Sequence, residues 1–344
     1  MIPAKVALAI LAAVLVVVLG SAGPAAADPP GPTDYQTTVE AVDPPNPDVR
    51  VTILGGDSFV QLAVEPGAAA EVVGYQGEPY LRFGSDGTVL QNERSPTRWL
   101  NEDRYSETEV PAEATADAEP GWVEVARHGT YSWHDHRAHW MATIPPPGTR
   151  PGDTVLEGVV PLVVDGEPVA VHVRSVLLEP PTPWAPLAGG AVAVMAVVAV
   201  LGAAGGRGSD PVRALAVVTT AWSVAAAGLG WWAYRSVPAE TGPSVLLWVP
   251  PLVAAGAGLA AWWSAGRPAT PRFQTPLLFA LAGLELVWWS VTRRTAIIRS
   301  LIPSDAPERL DRAVVAGGAI IGVAALIAAV LILVRSRATA PVPA

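Results

Sequence analysis

The sequence predicts two unlike parts: an all-β domain, folded as an antiparallel Ig-like or cupredoxin-like sandwich, and a C-terminal bundle of about five transmembrane helices. Residues 36–179 alternate polar and apolar side chains in short runs, whereas residues from 184 onward form long apolar stretches. The hydrophobic content of 51% and the mean hydropathy of +0.35 are also high for a soluble protein of this length. The chain is therefore expected to carry a membrane portion.

Residues 1–27 have the features of a signal peptide. Lys5 precedes an apolar core at residues 6–19, and Ala25-Ala26-Ala27 provides the small residues that signal peptidase requires. A core of about 14 residues is short for a membrane span of roughly 20, which disfavours the alternative of an uncleaved anchor. We expect the mature chain to begin at Asp28, with a flexible stretch over residues 28–35.

The β domain, residues 36–179, is expected to consist of short strands separated by turn residues. Asp165-Gly166 lies between two apolar runs, a pattern typical of a tight hairpin. Residues 95–120 are rich in Glu, Asp and Ala and predict a long acidic loop with one short helical turn. Residues 180–183 include three prolines and predict a stiff linker, because proline fixes the backbone in an extended form.

The membrane bundle is predicted over residues 184–335. Each apolar run approaches the roughly 20 residues that a bilayer requires, and tryptophans lie near the predicted ends, as in an aromatic belt. The fourth run is the shortest. The expected spans are 184–204, 214–234, 244–263, 275–291 and 313–334.

Export of the β domain fixes the expected orientation. The protein is then a multi-pass cell-membrane protein, with residues 336–344 as a cytoplasmic tail and the lipid bilayer as its first partner. Counts of basic residues give little independent support, because the outer segment 292–312 holds five arginines. Docking of this segment on the acidic β domain would account for that excess.

Charge is distributed unevenly along the chain. Residues 28–183 contain 25 Asp and Glu against nine Arg, a net charge of −16, while the whole chain carries −9. Such a domain repels nucleic acid and favours cations or a basic partner, for example another envelope protein. Simple solubility of an exported domain is the alternative explanation. The absence of cysteine excludes disulfides and thiolate metal sites.

The most concentrated chemical signal is a His-rich segment at residues 131–141. Four of the five histidines lie within 12 residues, from His128 to His139. On a continuing strand, His134 and His136 would share one face. A bend would then bring His139 and Met141 towards that pair. Imidazole binds zinc and copper and a thioether favours copper(I), so His134, His136, His139 and Met141 predict a copper or zinc site.

Asp135 would add an oxygen ligand or a hydrogen-bond acceptor for a ligating histidine. The alternative is a structural network, in which these histidines, Asp135 and Arg137 pin a loop by hydrogen bonds. Convergence of the three histidines with open lone pairs would favour the metal site. Capping of the histidines by Asp135 and backbone carbonyls would favour the network.

An enzymatic function is not expected. The sequence contains no Gly-x-Ser-x-Gly nucleophile elbow, no phosphate-binding loop and no Rossmann glycine pattern. In the predicted spans Glu285 is the unambiguous ionisable residue, and an intramembrane carboxylate is a functional candidate as a proton carrier or cation ligand. Its alternative roles are an interhelical hydrogen bond or a pair with Arg293.

The sequence resembles a group of exported actinobacterial membrane proteins of unassigned function at three segments. They are residues 74–83 (GYQGEPYLRF), 92–101 (NERSPTRWLN) and 133–140 (WHDHRAHW). The resemblance implies the same topology, a β domain outside the cytoplasm followed by a helical bundle, and a recurring WHDHRxHW segment. It implies no reaction.

Overall fold

The structure is a computed structural model that describes residues 29–142, 144–203, 210–267 and 273–338, with side chains described to residue 335. The predicted signal peptide and most of the predicted cytoplasmic tail lie outside the described residues. The N-terminal half forms two antiparallel β-sheets and the C-terminal half forms long apolar helices. This confirms the predicted division into a β domain and a helical bundle.

Ten strands build the β domain, and one short helix, α1 (Pro96–Leu100), interrupts them. The acidic loop therefore contains the single helical turn that the sequence predicts. The strands are β1 (Tyr35–Asp43), β2 (Val49–Leu54), β3 (Phe59–Val64), β4 (Ala70–Val73), β5 (Pro79–Phe83), β6 (Val89–Asn92), β7 (Trp122–Ala126), β8 (Thr130–Trp133), β9 (Thr154–Val164) and β10 (Glu167–Leu177).

The strands form a seven-stranded sheet in the order β1-β10-β9-β4-β5-β6-β7 and a three-stranded sheet in the order β2-β3-β8. Both sheets contribute to one apolar core, in which Leu62 and Trp133 of the small sheet pack with Val72, Phe83 and Val171 of the large one. Alternate residues of β10 are buried, the pattern expected of a strand with one face on a core. The finer Ig-like or cupredoxin-like assignment stays a prediction.

The β9–β10 hairpin confirms the predicted tight turn. Val164 pairs with Glu167, which leaves Asp165 and Gly166 as the two loop residues. Both have positive φ angles, 48° and 87°. A two-residue turn of this kind matches the twist of its strands, and Asp and Gly tolerate the left-handed backbone it requires. The Asp165 carboxylate also accepts a hydrogen bond from the Ala69 backbone at 2.9 Å, which ties the turn to the strand beside it.

Five helices of the second half are long and apolar enough to cross a membrane. They agree with the five predicted spans within a few residues, although the last begins earlier than predicted because its first turn is polar and lies outside the apolar run. The helices are α2 (Trp184–Ala203), α3 (Pro211–Arg235), α4 (Val249–Ala265, which a 3₁₀ turn extends to a span of Val245–Ala265), α5 (Gln274–Thr292) and α7 (Glu308–Ala338). A short helix, α6 (Thr295–Ile298), lies between α5 and α7.

Small residues allow the helices to approach closely. A side chain at Gly189 of α2 would overlap the backbone of Ala313 in α7, and one at Gly317 of α7 would overlap the ring of Trp222 in α3. Backbone contact of this kind stabilises membrane helix pairs through van der Waals packing. The Trp222 indole N–H also donates to the Val314 carbonyl at 2.9 Å, which satisfies a buried donor inside the bundle.

The segment between α5 and α7, residues 293–307, contacts the β domain, and we call it the docking segment. Thr33 and Leu301 form a two-way backbone bridge, with N–O distances of 3.0 and 2.9 Å. Asp34 accepts hydrogen bonds from Ser300 and forms an ion pair with Arg299 at 2.5 Å. The expectation that this Arg-rich segment docks on the β domain therefore agrees with the structure.

Arg312, on the first turns of α7, holds the docking segment in shape. Its buried guanidinium donates to the carbonyls of Arg299 at 2.8 Å and Ser300 at 3.0 Å, and also to that of Ala296. One arginine thus satisfies several carbonyls where α6 ends, which would otherwise lack partners. The excess of arginine in residues 292–312 thus has a structural use.

Candidate functional site

The His-rich segment, residues 131–141, starts within strand β8, which ends at Trp133. The expected extension of this strand to His136 is wrong, because Asp135 turns the backbone: its carbonyl accepts the Ala138 N–H at 2.8 Å. His134 and His136 therefore do not share a strand face. They lie on a compact turn at the edge of the small sheet, and His134, Asp135 and His139 are almost fully buried there.

Asp135 is the centre of this turn. One carboxylate oxygen accepts from the Arg137 Nε at 2.8 Å and from the Arg137 backbone at 3.1 Å. The other accepts from a second Arg137 nitrogen at 2.7 Å and from the Trp133 indole at 3.0 Å. Burial opposes ionisation, but the bonds and charge of Arg137 prevail and hold the pKa of Asp135 below its usual range. Its oxygens are committed within the protein.

Tyr75 connects the turn to the rest of the domain. Its hydroxyl accepts the His136 backbone N–H at 2.8 Å and donates to the side chain of Asn101. The Arg137 guanidinium lies 4.8 Å from the centre of the Tyr75 ring and donates to the Val73 carbonyl at 2.9 Å. These contacts join the turn to strand β4 and to the end of helix α1. Asp135 and Arg137 therefore neutralise each other, and Tyr75 and Val73 hold the pair in place.

Both ring nitrogens of His136 have partners. Nε2 lies 3.0 Å from the Asp103 carbonyl and Nδ1 lies 2.9 Å from the Ser106 hydroxyl. Because a carbonyl only accepts, Nε2 carries the proton and the Nδ1 lone pair faces the hydroxyl. Burial lowers the pKa of His136 despite the opposing effect of the Asp103 carbonyl, so the ring is neutral near pH 7. A metal could bind His136 only after one of these bonds broke.

His139 is also held as a neutral donor. Its Nε2 lies 3.2 Å from the Arg104 carbonyl. Burial, together with the charge of Arg104, lowers the pKa of His139 to about 3. Its Nδ1 has no hydrogen-bond partner among the described residues, so the lone pair on that nitrogen of His139 stays open.

The three imidazoles do converge. Ring centres of His136 and His139 are 5.1 Å apart, and those of His134 and His139 are 6.0 Å apart, both edge to face. His134 stacks on Phe59 at 4.2 Å, and Met141 is half-buried two residues beyond His139. Even so, the part of the chain that the structure describes contains no group of three or more metal-binding side chains with suitable geometry.

Sequence reasoning missed two buried carboxylates that position this turn. Asp57 forms a two-bond ion pair with Arg104, whose carbonyl accepts from His139. Glu78 accepts from the hydroxyls of Ser95 and Thr97 at 2.7 and 2.6 Å and so fixes the start of α1. Isolated acids in an acidic domain give no sequence signal.

Glu285 is half-buried on helix α5. Among the described residues it has no hydrogen bond or ion pair, and Arg293, its suggested partner, pairs instead with Asp311 at 2.5 Å. The Arg293–Asp311 pair is buried where α5 ends and α7 begins. The suggested pairing of Glu285 with Arg293 is therefore wrong. The role of Glu285 as a proton carrier or cation ligand stays a prediction.

Comparison with known proteins identifies no relative from which a function could be inferred, so the proposal below depends on the geometry of the site. No model of a known protein family matches the chain, and neither the curated proteins nor the solved structures include a significant match. The resemblance at the WHDHRxHW segment stays a prediction.

Proposed function

We propose that this chain is a non-enzymatic, membrane-anchored protein of the cell envelope whose outer β domain is an interaction or scaffold module. The His-rich segment is its internal structural network. The observation that carries this proposal is the use of both Asp135 oxygens and both His136 nitrogens in bonds within the domain. Polar groups so satisfied fix a buried turn in one conformation, whereas a ligand site keeps lone pairs open.

A metal site for copper or zinc is the second candidate, because the imidazoles of His134, His136 and His139 lie in contact. It is the weaker one. Asp135 is neutralised by Arg137 and Asp57 by Arg104, so neither carboxylate is free to balance the charge of a bound cation. Metal binding would therefore require both hydrogen-bond rearrangement and displacement of an ion pair.

Removal of two clustered histidines separates these candidates. We expect the His134→Ala/His136→Ala variant of the full chain in detergent to lose several degrees of thermal stability in the presence of a chelator, because it leaves cavities and an unpaired Asp103 carbonyl. The matched control is His128→Ala/His172→Ala, since both of these histidines are exposed. Stoichiometric zinc or copper binding that the control keeps and the test variant loses would establish the metal site instead.

The orientation of the protein is part of this proposal. The β domain contacts the end of the bundle where α7 begins and α5 ends, and Arg267 lies at the opposite end, after α4. Export would place the β domain outside the cell membrane. The Ig-like or cupredoxin-like form of the domain and the actinobacterial origin are proposed with it.

Cysteine labelling tests the orientation, because the natural chain contains no cysteine. With a membrane-impermeant maleimide on intact cells, we expect Glu113→Cys, in the exposed acidic loop, to be labelled. Arg267→Cys should react only after permeabilisation. The unmodified chain gives the background. The reverse pattern would place the β domain in the cytoplasm and refute an envelope function.

A further inference from the structure

A second feature of the molecule is a cavity of about 290 Å³ between the β domain and the docking segment, beside the network above. Its walls include the N-terminal residues 29–35, the loop of Arg104 and Tyr105, and Arg299, together with Ser58, His134 and Ala142. A cavity at the junction of two structural units is a common place for a small ligand, and this volume lies near the lower limit of such sites.

Tyr35 lines the cavity and carries a buried hydroxyl that makes no hydrogen bond to any described residue. The residue is 4% exposed. A buried phenol without a partner costs free energy in the empty protein, and buried groups of this kind are rare unless a water, ion or ligand completes them. The hydroxyl therefore lacks an acceptor among the described residues, and an oxygen of a bound ligand would supply one.

Two arginines add further donors. Arg299 uses one nitrogen on Asp34, and its Nε and second terminal nitrogen have no hydrogen-bond partner among the described residues. Arg104 uses its two terminal nitrogens on Asp57, which leaves its Nε without one. A guanidinium carries five N–H groups in a planar fork that fits the oxygens of a carboxylate or phosphate.

The acceptors in the wall are largely used. Among the described residues that line the cavity, Asp34 is the one carboxylate. One of its oxygens accepts from the backbone and hydroxyl of Ser300, at 2.9 and 3.1 Å, and the other from Arg299. Asp57 lies behind Arg104, so the negative charges of Asp34 and Asp57 balance the positive charges of Arg299 and Arg104. Selectivity for an anion thus comes from unused donors rather than from net charge.

From this accounting we infer that the cavity is an oxyanion site, which takes a small carboxylate or phosphate group with Tyr35, Arg104 and Arg299 as its donors. The acidic surface of the domain does not attract anions over long distances, so direct hydrogen bonds supply the affinity. The oxyanion has two conceivable sources, a soluble metabolite or the phosphate of a lipid headgroup at the outer membrane surface. The chemistry of the site is the same for both.

The full chain in non-ionic detergent tests this inference by calorimetric titration with inorganic phosphate and with succinate, and in a second arm with micelles doped with phosphatidylglycerol. We expect saturable binding that Tyr35→Phe weakens roughly 10- to 100-fold, the effect of one hydrogen bond to a charged group. Tyr35→Phe should leave thermal stability unchanged or raise it slightly, because it removes an unsatisfied hydroxyl. Binding of the lipid alone would identify the membrane as the source.

Tyr131→Phe is the matched control, since Tyr131 is half-buried in the same domain but does not line the cavity. Arg299→Lys keeps the positive charge beside Asp34 and removes the planar fork, so it should also weaken binding. Absence of binding by all three probes would overturn the inference. Equal affinities of the wild type, Tyr35→Phe and Tyr131→Phe would overturn it as well, without affecting the structural role of the His-rich segment.

Discussion

Asp135→Ala is expected to lower the free energy of unfolding of the β domain by about 3–5 kcal/mol, the cost of removing one member of a buried ion pair. The Asp135 side chain is fully buried and that of Arg137 is 17% exposed. The substitution leaves the guanidinium without its carboxylate and the Trp133 indole without its acceptor. Asp135→Asn keeps some of these bonds but not the charge, so its effect should be intermediate.

Thermal unfolding of the full chain, followed by near-ultraviolet circular dichroism, measures this effect. Asp117→Ala is a suitable control, because Asp117 is an exposed acid on the acidic loop of the same domain. We expect the control to unfold within about 1 °C of the wild type, as surface substitutions usually do. Equal stability of the Asp135 and Asp117 variants would show that the turn does not depend on its ion pair.

The second large effect is a loss of stability in mild acid. The folded protein holds the pKa of His139 at about 3, against 6.5 for the free side chain. As the pH falls below about 6.5 the unfolded chain takes up a proton that the folded chain does not, so the free energy of unfolding decreases. The loss continues until the pH approaches 3. Its slope approaches about 1.4 kcal/mol per pH unit for one such histidine.

Between pH 7 and pH 5, above the range where most carboxylates titrate, the wild type should lose about 2 kcal/mol through this residue. His139→Gln stays neutral and can donate an amide N–H to the Arg104 carbonyl, so its stability should change less over the same interval. His128→Gln, at an exposed position, should follow the wild type. A pH dependence of the His139 variant identical to that of the wild type would contradict the low pKa of His139.

The sequence predicts those parts of the fold that depend on neighbouring residues, such as apolar helices and tight turns. Runs of apolar residues as long as a bilayer is thick predict helices α2–α5 and α7, because a span has few other solutions. Asp165-Gly166 predicts the β9–β10 hairpin for a similar reason, since few residue pairs accept its backbone angles. Strand order cannot be obtained in this way. Pairing of β4 with β9 joins residues some 90 positions apart and depends on the complete core.

The His-rich segment shows where such reasoning stops. The density of histidines predicts a cluster of His134, His136 and His139 around Asp135, and the three imidazole rings do lie close together. The partners that decide their chemistry come from elsewhere. The carbonyls of Asp103 and Arg104 lie more than 30 positions away and have no side-chain signature. Whether an imidazole lone pair is open or used is therefore invisible in the sequence, and it separates a metal site from a structural network.

The central claim is that the imidazoles of this turn are internal hydrogen-bond donors rather than metal ligands. Nitrogen NMR of the full chain with ¹⁵N-labelled histidine, recorded at pH 7 with and without one equivalent of zinc, tests it most directly. We expect His136 and His139 to be neutral with the proton on Nε2, and neither signal to move when zinc is added. A shift of two or more of the His134, His136 and His139 signals to metal-bound values would contradict the claim and make the turn a metal site.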